Sequence, residues 1–198
     1  MHVLLGGPGF GSAATPLNVD FTAGVEGFTT SALGGTNLWQ RVDIADGAAN
    51  GPSYYFGDPG TLNFQTVPAS RVAGELVSPA RDLSGSDTVR ITFDYRLSVE
   101  DSAAFDQVQL QISHDGVTWV DLAAKSRPGE PGIVNDNTWR TFVQDVSLTG
   151  LPSSNAVQFR FTFDSVDDVL NETFGFSVDN IMVFASNAVH AVAFDSFT

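Results

Sequence analysis

The stretch Val89-Arg90-Ile91-Thr92-Phe93-Asp94-Tyr95-Arg96-Leu97-Ser98 carries the clearest structural signal in the chain. Its apolar residues fall at every second position, with a charged or hydroxylated residue between each pair. A strand sends successive side chains to opposite faces, so this pattern buries one face and wets the other. Val108, Leu110 and Ile112 alternate in the same way with Gln107, Gln109 and Gln111, and Val157, Phe159, Phe161 and Phe163 with Gln158, Arg160 and Thr162. Turn-forming clusters separate these runs: Asp58-Pro59-Gly60, Ser84-Gly85-Ser86-Asp87, His114-Asp115-Gly116 and Pro128-Gly129-Glu130-Pro131-Gly132. Short alternating strands punctuated by Gly, Pro and Asp predict an all-β antiparallel jelly-roll β-sandwich.

The rest of the composition agrees. The chain has 198 residues, enough for one domain with a sizeable core. Its single lysine, Lys125, and its scattered Glu leave no stretch able to sustain a long helix. Residues 1–15 read as a Gly- and Ala-rich leader or linker, 16–185 as the sandwich, and 186–198 as a tail or an extra edge strand. The opening Met1-His2-Val3-Leu4-Leu5 is too short an apolar run for a secretion signal. Asp82-Leu83-Ser84-Gly85 before Val89–Leu97 is echoed by Ser147-Leu148-Thr149-Gly150 before Val157–Phe163, so two related turn-strand units are expected within one sandwich.

Charge narrows the partners. The net charge is −14, carried by 18 Asp and 5 Glu against 9 basic residues. Such a surface repels phosphate backbones and anionic lipid, which argues against nucleic-acid binding. No run of 18 apolar residues is present, so no membrane insertion by a helix is expected. There is no cysteine, which removes disulfides and thiolate chemistry.

Several motifs resemble, in their order, the MAM-like, concanavalin-type jelly-roll domains of bacterial secreted and cell-surface proteins, including C-terminal regions of secreted metallopeptidases. They are Val19-Asp20-Phe21, Asn37-Leu38-Trp39, Ser53-Tyr54-Tyr55-Phe56-Gly57, Gly74-Glu75-Leu76-Val77-Ser78-Pro79, Ile112-Ser113-His114-Asp115-Gly116-Val117-Thr118-Trp119 and Gly175-Phe176-Ser177-Val178-Asp179-Asn180-Ile181. The resemblance spans about residues 17 to 184. It implies an extracellular, non-catalytic interaction domain of adhesion type, with Trp39 and Trp119 as packing residues. The sequence departs from the pattern at Thr22, where such jelly rolls carry a glutamate, and in lacking the cysteines of eukaryotic MAM domains.

Asp179 is the sharpest candidate for chemistry. Strict alternation places it on one face with Ile181 and Val183, and a carboxylate among core residues must be paired or metal-bound. The resemblance implies that it holds a structural Ca²⁺ with Asp20 near the first strand. Oxygens of the turn at Asn50 would complete the shell, since Ca²⁺ takes 6–8 of them. The alternative is a hydrogen-bonded Asp capping a turn, or one salt-bridged to one of the eight Arg. Two further acidic groups, Glu100, Asp101 and Asp106, and Asp164, Asp167, Asp168, Asn171 and Glu172, lack EF-hand spacing and read as solvated loops.

Catalytic signals are thin. His2, His114 and His190 sit at termini or in a turn, and no hydrolase motif surrounds them. Only a glycosidase-type pair, Asp94 with Asp164, could be built on sheet faces. Tyr54, Tyr55 and Tyr95 are candidate ligand-binding aromatics for stacking sugars. The expected partner is a protein or glycan at a cell surface. A carbohydrate-binding module is the first alternative function, and a self-assembling surface subunit the second.

Overall fold

A computed structural model describes residues 14–43, 51–149 and 155–186. The described chain forms twelve strands and no helix. They are β1 (Ala14–Val19), β2 (Thr29–Ala32), β3 (Trp39–Val42), β4 (Ser53–Phe56), β5 (Ala73–Val77) and β6 (Thr88–Ser98), followed by β7 (Gln107–Ser113), β8 (Trp119–Ser126), β9 (Ile133–Val134), β10 (Trp139–Ser147), β11 (Gln158–Asp164) and β12 (Gly175–Ser186). Two sheets of six strands face each other. The first runs β10-β6-β12-β4-β3, with β1 also on β12, and the second runs β2-β5-β11-β7-β8-β9. Every ladder is antiparallel except the short one between β8 and β9. The antiparallel jelly-roll sandwich is as the alternation predicts. β1 begins at Ala14 and β12 ends at Ser186. Residues 1–13 and 187–198 lie outside the described residues.

The two echoing units supply one central strand to each sheet, β6 and β11, and their preceding turns meet where Leu148 N donates to Asp87 O at 2.8 Å. The inward rows interlock through aromatic rings. Phe93 on β6 stacks on Phe142 at 4.9 Å and meets Phe161 of the opposite sheet edge-on, also at 4.9 Å. Phe56 lies flat on Phe163 across the interior at 4.2 Å, and Trp39 closes on Phe56 and Phe176. Trp39 thus packs in the core as the resemblance implies, its indole N–H donating to Gly74 O. Offset and edge-on contacts of this kind add to the burial itself.

Outward rows carry the polar half of each alternating strand. Arg90, Asp94 and Arg96 project from β6, and Gln158, Arg160 and Thr162 from β11. One irregularity matters. Asp179 pairs with Asp94, but Met182 pairs with Thr92, so β12 has one more residue than β6 over this span. That is a β-bulge, and Asn180 takes a positive φ of 49° within it.

Candidate binding cleft

The bulge overturns the expected placement of Asp179. Val178 is inward, Asp179 is outward opposite Asp94, and the extra residue returns Ile181 and Val183 to the interior. Asp179 therefore does not share their face. It is nonetheless only 3% exposed, on the outer side of the first sheet. Its Oδ1 accepts a hydrogen bond from Asn180 N at 2.7 Å, so it caps its own bulge. Asp20 stands next to the same bulge, since Val19 pairs with Ile181. Its Oδ1 accepts from Thr22 Oγ1 at 2.7 Å and Thr22 N at 3.0 Å, and these bonds hold its carboxyl below the usual range. Asn50 lies outside the described residues. A Cβ on Gly51 would lie 3.7 Å from the Thr22 methyl. The donor set is all hard oxygen, the chemistry of Ca²⁺. Among the described residues, however, no three Asp, Glu, His or Cys come together in a metal-binding group.

The three tyrosines are not a stacking platform. Tyr54, Tyr55 and Tyr95 are 4%, 0% and 2% exposed. Tyr54 packs edge-on against Phe21 in the core. Tyr55 lies on the outer side of the first sheet, but with Val42 and Phe174 over it, and its hydroxyl donates to Phe174 O at 2.5 Å. The Tyr95 hydroxyl accepts from Val134 N at 2.9 Å and so ties β9 to the core. Burial raises the Tyr95 phenol above its ordinary value. Tyr54 and Tyr95 fall at alternate apolar positions, whereas nothing local to Tyr55 signals that Phe174 covers it.

The proposed carboxylate pair is also separated. Asp94 and Asp164 occupy the outer faces of different sheets. Asp94 accepts from Thr141 Oγ1 and Asn180 Nδ2, and Asp164 from the Arg71 guanidinium. His114 is less exposed than its turn suggests, and both ring nitrogens are buried. The two acidic loops read as solvated meet instead at one end of the sandwich. Asp106 N donates to Ser165 O, and the Asp106 side chain is 1% exposed. Lys125 braces this end by donating from Nζ to the carbonyls of Glu100, Ser102 and Phe105 at 2.6–2.9 Å.

A concavity of about 960 Å³ lies along one side of the sandwich. It opens between β10 and β8. Among the described residues β10 is paired only by β6, and β8 is paired beyond β7 only at Lys125 and Ser126, by β9. Both strands therefore turn an open edge to this cleft. Phe142, Leu122 and Ala123 form its apolar floor. Trp139 stands at the rim, half-buried, and Glu130, Arg140 and Gln144 add polar groups. Arg140 pairs with Asp136 through Nε at 3.0 Å and through Nη2, and this guanidinium pulls the Asp136 carboxyl down to about 2. Gly132 lets β9 cross close to β8. Its φ is 130°, and a Cβ there would lie 2.5 Å from Ala124 O.

A second polar surface lies on the outer face of the other sheet. Ser31 Oγ donates to Glu75, Arg160 bridges Glu75 (2.7 Å) and Gln111 (2.5 Å), and Gln111 Nε2 donates to Asp121 (2.5 Å). Trp119 sits here with the Arg160 guanidinium 4.2 Å above its ring. It is thus an outer-face residue, opposite Ser113, and it packs against Arg160 on the sheet surface and not in the core.

No family model and no curated protein sequence matches the chain. Solved structures do. The chain superposes on the K1 cleaved adhesin domain of Lys-gingipain from Porphyromonas gingivalis W83 with a TM-score of 0.57 and 18% identity, covering 84% of this chain and 96% of that one. It superposes on the CBM22-1-GH10 modules of Clostridium thermocellum endo-1,4-β-D-xylanase 10B, complexed with xylohexaose, with a TM-score of 0.53 and 9% identity, covering 92% of this chain and 30% of that one. A third match is the enzymatically active domain of bacteriophage CBA120 tailspike protein 4, with a TM-score of 0.54 and 11% identity over 86% of this chain and 21% of that one. At these identities the likeness shows a shared β-sandwich fold. The chain spans under a third of the xylanase and tailspike chains. The MAM-like resemblance rests on the sequence motifs alone.

Proposed function

We propose that this domain is a non-catalytic, extracellular recognition module of adhesion type, and that it binds its partner in the side cleft between β8 and β10. The observation that carries this reading is the cleft itself. It combines an apolar floor, a rim tryptophan, fixed polar groups and two open strand edges, the mixture a binding site needs. The adhesin and carbohydrate-binding modules that share the fold support the reading, as does the spending of Asp94 and Asp164 on structural bonds. No helix among the described residues is long and apolar enough to cross a membrane.

A second reading, a carbohydrate-binding module, is favoured by the outer face of the second sheet. Its linked row of Glu75, Arg160, Gln111 and Asp121 beside Trp119 offers fixed donors and acceptors and one ring for stacking. Probing the purified domain against glycan and peptide arrays tests both readings. Saturable binding without turnover of the bound compound is expected. Release of cleaved product from a bound glycan would overturn the non-catalytic assignment.

The reading includes a structural Ca²⁺ at the corner of Asp20 and Asp179, with main-chain carbonyls and water supplying the remaining oxygens. An ion bound only to the folded state at a hundredfold excess over its Kd adds about 2.7 kcal/mol. Chelator should then lower the melting midpoint by roughly 5–10 °C relative to millimolar Ca²⁺. Asp179→Ala should erase that difference. Equal midpoints, with no calcium by elemental analysis, would leave Asp179 as a bulge cap.

A further inference from the structure

The open edge of β10 has a character that narrows the partner. Nine residues, Trp139–Ser147, run without proline and without a described neighbour on the cleft side. Such an edge presents a row of free N–H and C=O groups with the spacing of another polypeptide strand. Natural proteins blunt long edges with charge, and here both charges on β10 are spent. Arg140 is held by Asp136, and Asp145 by Arg90. Val143, in the middle of the strand, is 56% exposed. The edge is therefore accessible and chemically plain.

Charge then selects among polypeptides. The chain carries −14. The cleft has Glu130 at its rim, and its one arginine is already neutralised. Arg127, nearby, is paired with Asp101. An acidic segment meets repulsion here, and a basic one meets attraction at long and short range.

We propose that β10 accepts an extended, basic polypeptide segment of a partner protein as an added strand, with the segment's apolar side chains on the floor formed by Phe142, Leu122 and Ala123. This rests on the recognition reading above and names the partner class for that same cleft. A glycan has no matching ladder of amide donors and acceptors, so the free edge favours a polypeptide.

The test uses a blocked ten-residue peptide of alternating Lys and Val, its Glu/Val counterpart, and a Lys/Val version N-methylated at every amide. Titration into the isotopically labelled domain follows the backbone amide signals. The Lys/Val peptide is expected to bind about tenfold tighter than either control, moving the amides of residues 139–147. Val143→Arg, a change at a 56% exposed position that is expected to leave the melt unaltered, should weaken Lys/Val binding about fivefold and strengthen Glu/Val binding. Equal binding of the N-methylated peptide would show that charge alone acts and would overturn the proposal. So would signals in β10 that move with protein concentration alone, since a second copy would then be the occupant. Glycan binding at the cleft without any peptide binding sinks this inference and leaves the recognition module standing. Failure of every glycan and every peptide sinks both.

Discussion

Raising the pH from 5 to 8 is expected to lower the melting midpoint of this domain by roughly 5–10 °C, and Asp106→Asn to remove most of that drop. Asp106 is 1% exposed, with Oδ2 accepting from Glu100 N at 2.8 Å and Oδ1 buried without a partner. Burial pushes its carboxyl up from 3.8 to about 7. The Glu100 amide and the Lys125 ammonium pull the other way, while the charges of Glu100 and Asp167 push with burial. A carboxyl whose folded value is raised favours the fold while it is protonated. Its contribution is complete below the unfolded value and is lost as pH rises through about 7. Between pH 5 and 8 the loss is about 3 kcal/mol, and each kcal/mol is worth roughly 2–4 °C in a domain of this size. Carboxyls held low by hydrogen bonds or arginine, such as Asp20, Asp82, Asp136 and Asp145, act in the opposite sense. They stabilise above the unfolded value and lose that contribution only in more acidic solution. Stability should therefore peak in mildly acid solution. An Asp106→Asn variant with the same slope from pH 5 to 8 would show that Asp106 is not the source.

Phe93→Ala should have the largest effect of any single truncation in the core, about 3–5 kcal/mol, or roughly 6–20 °C in the melting midpoint. Phe93 is fully buried and touches three rings, Tyr95, Phe142 and Phe161, so it joins β6 to β10 and to the opposite sheet. Removing it leaves a cavity that rigid neighbouring rings cannot collapse into. Val143→Ala, on the adjacent strand but 56% exposed, is the control and should stay within about 0.5 kcal/mol. Urea unfolding of both variants gives the comparison directly. Equal midpoints would mean that the aromatic interior does not hold the sheets together as described.

Strands with one wet and one dry face were legible in the sequence, and β6, β7 and β11 are the examples. Their alternation reports burial directly, and burial is what fixes the sandwich. β10 was not legible in the same way. Its inward positions read Arg140, Phe142, Gln144 and Val146, because only its middle is covered by the opposite sheet. An edge strand that borders a groove mixes polar and apolar residues on both faces, and the period-two signal fades there. Asp179 shows a second limit. Alternation put it with Ile181 and Val183, but a single extra residue at Asn180 reverses parity, and no residue type in Val178-Asp179-Asn180-Ile181 announces a bulge unambiguously. Burial of Tyr55 depends on Phe174, which is distant in sequence, and Asp106 is buried by the meeting of two separate loops. Contacts made between remote segments leave no local trace.

Recognition at the cleft between β8 and β10, as proposed above, can be tested by a pair of tryptophan substitutions. With any glycan or peptide that the domain binds, the affinities of Trp139→Ala and Trp119→Ala should be measured side by side, after melts show both variants folded. Trp139→Ala is expected to weaken binding about tenfold or more, with Trp119→Ala close to the unsubstituted domain. The reverse result, binding lost with Trp119→Ala and kept with Trp139→Ala, would contradict the account and move recognition to the outer face of the second sheet.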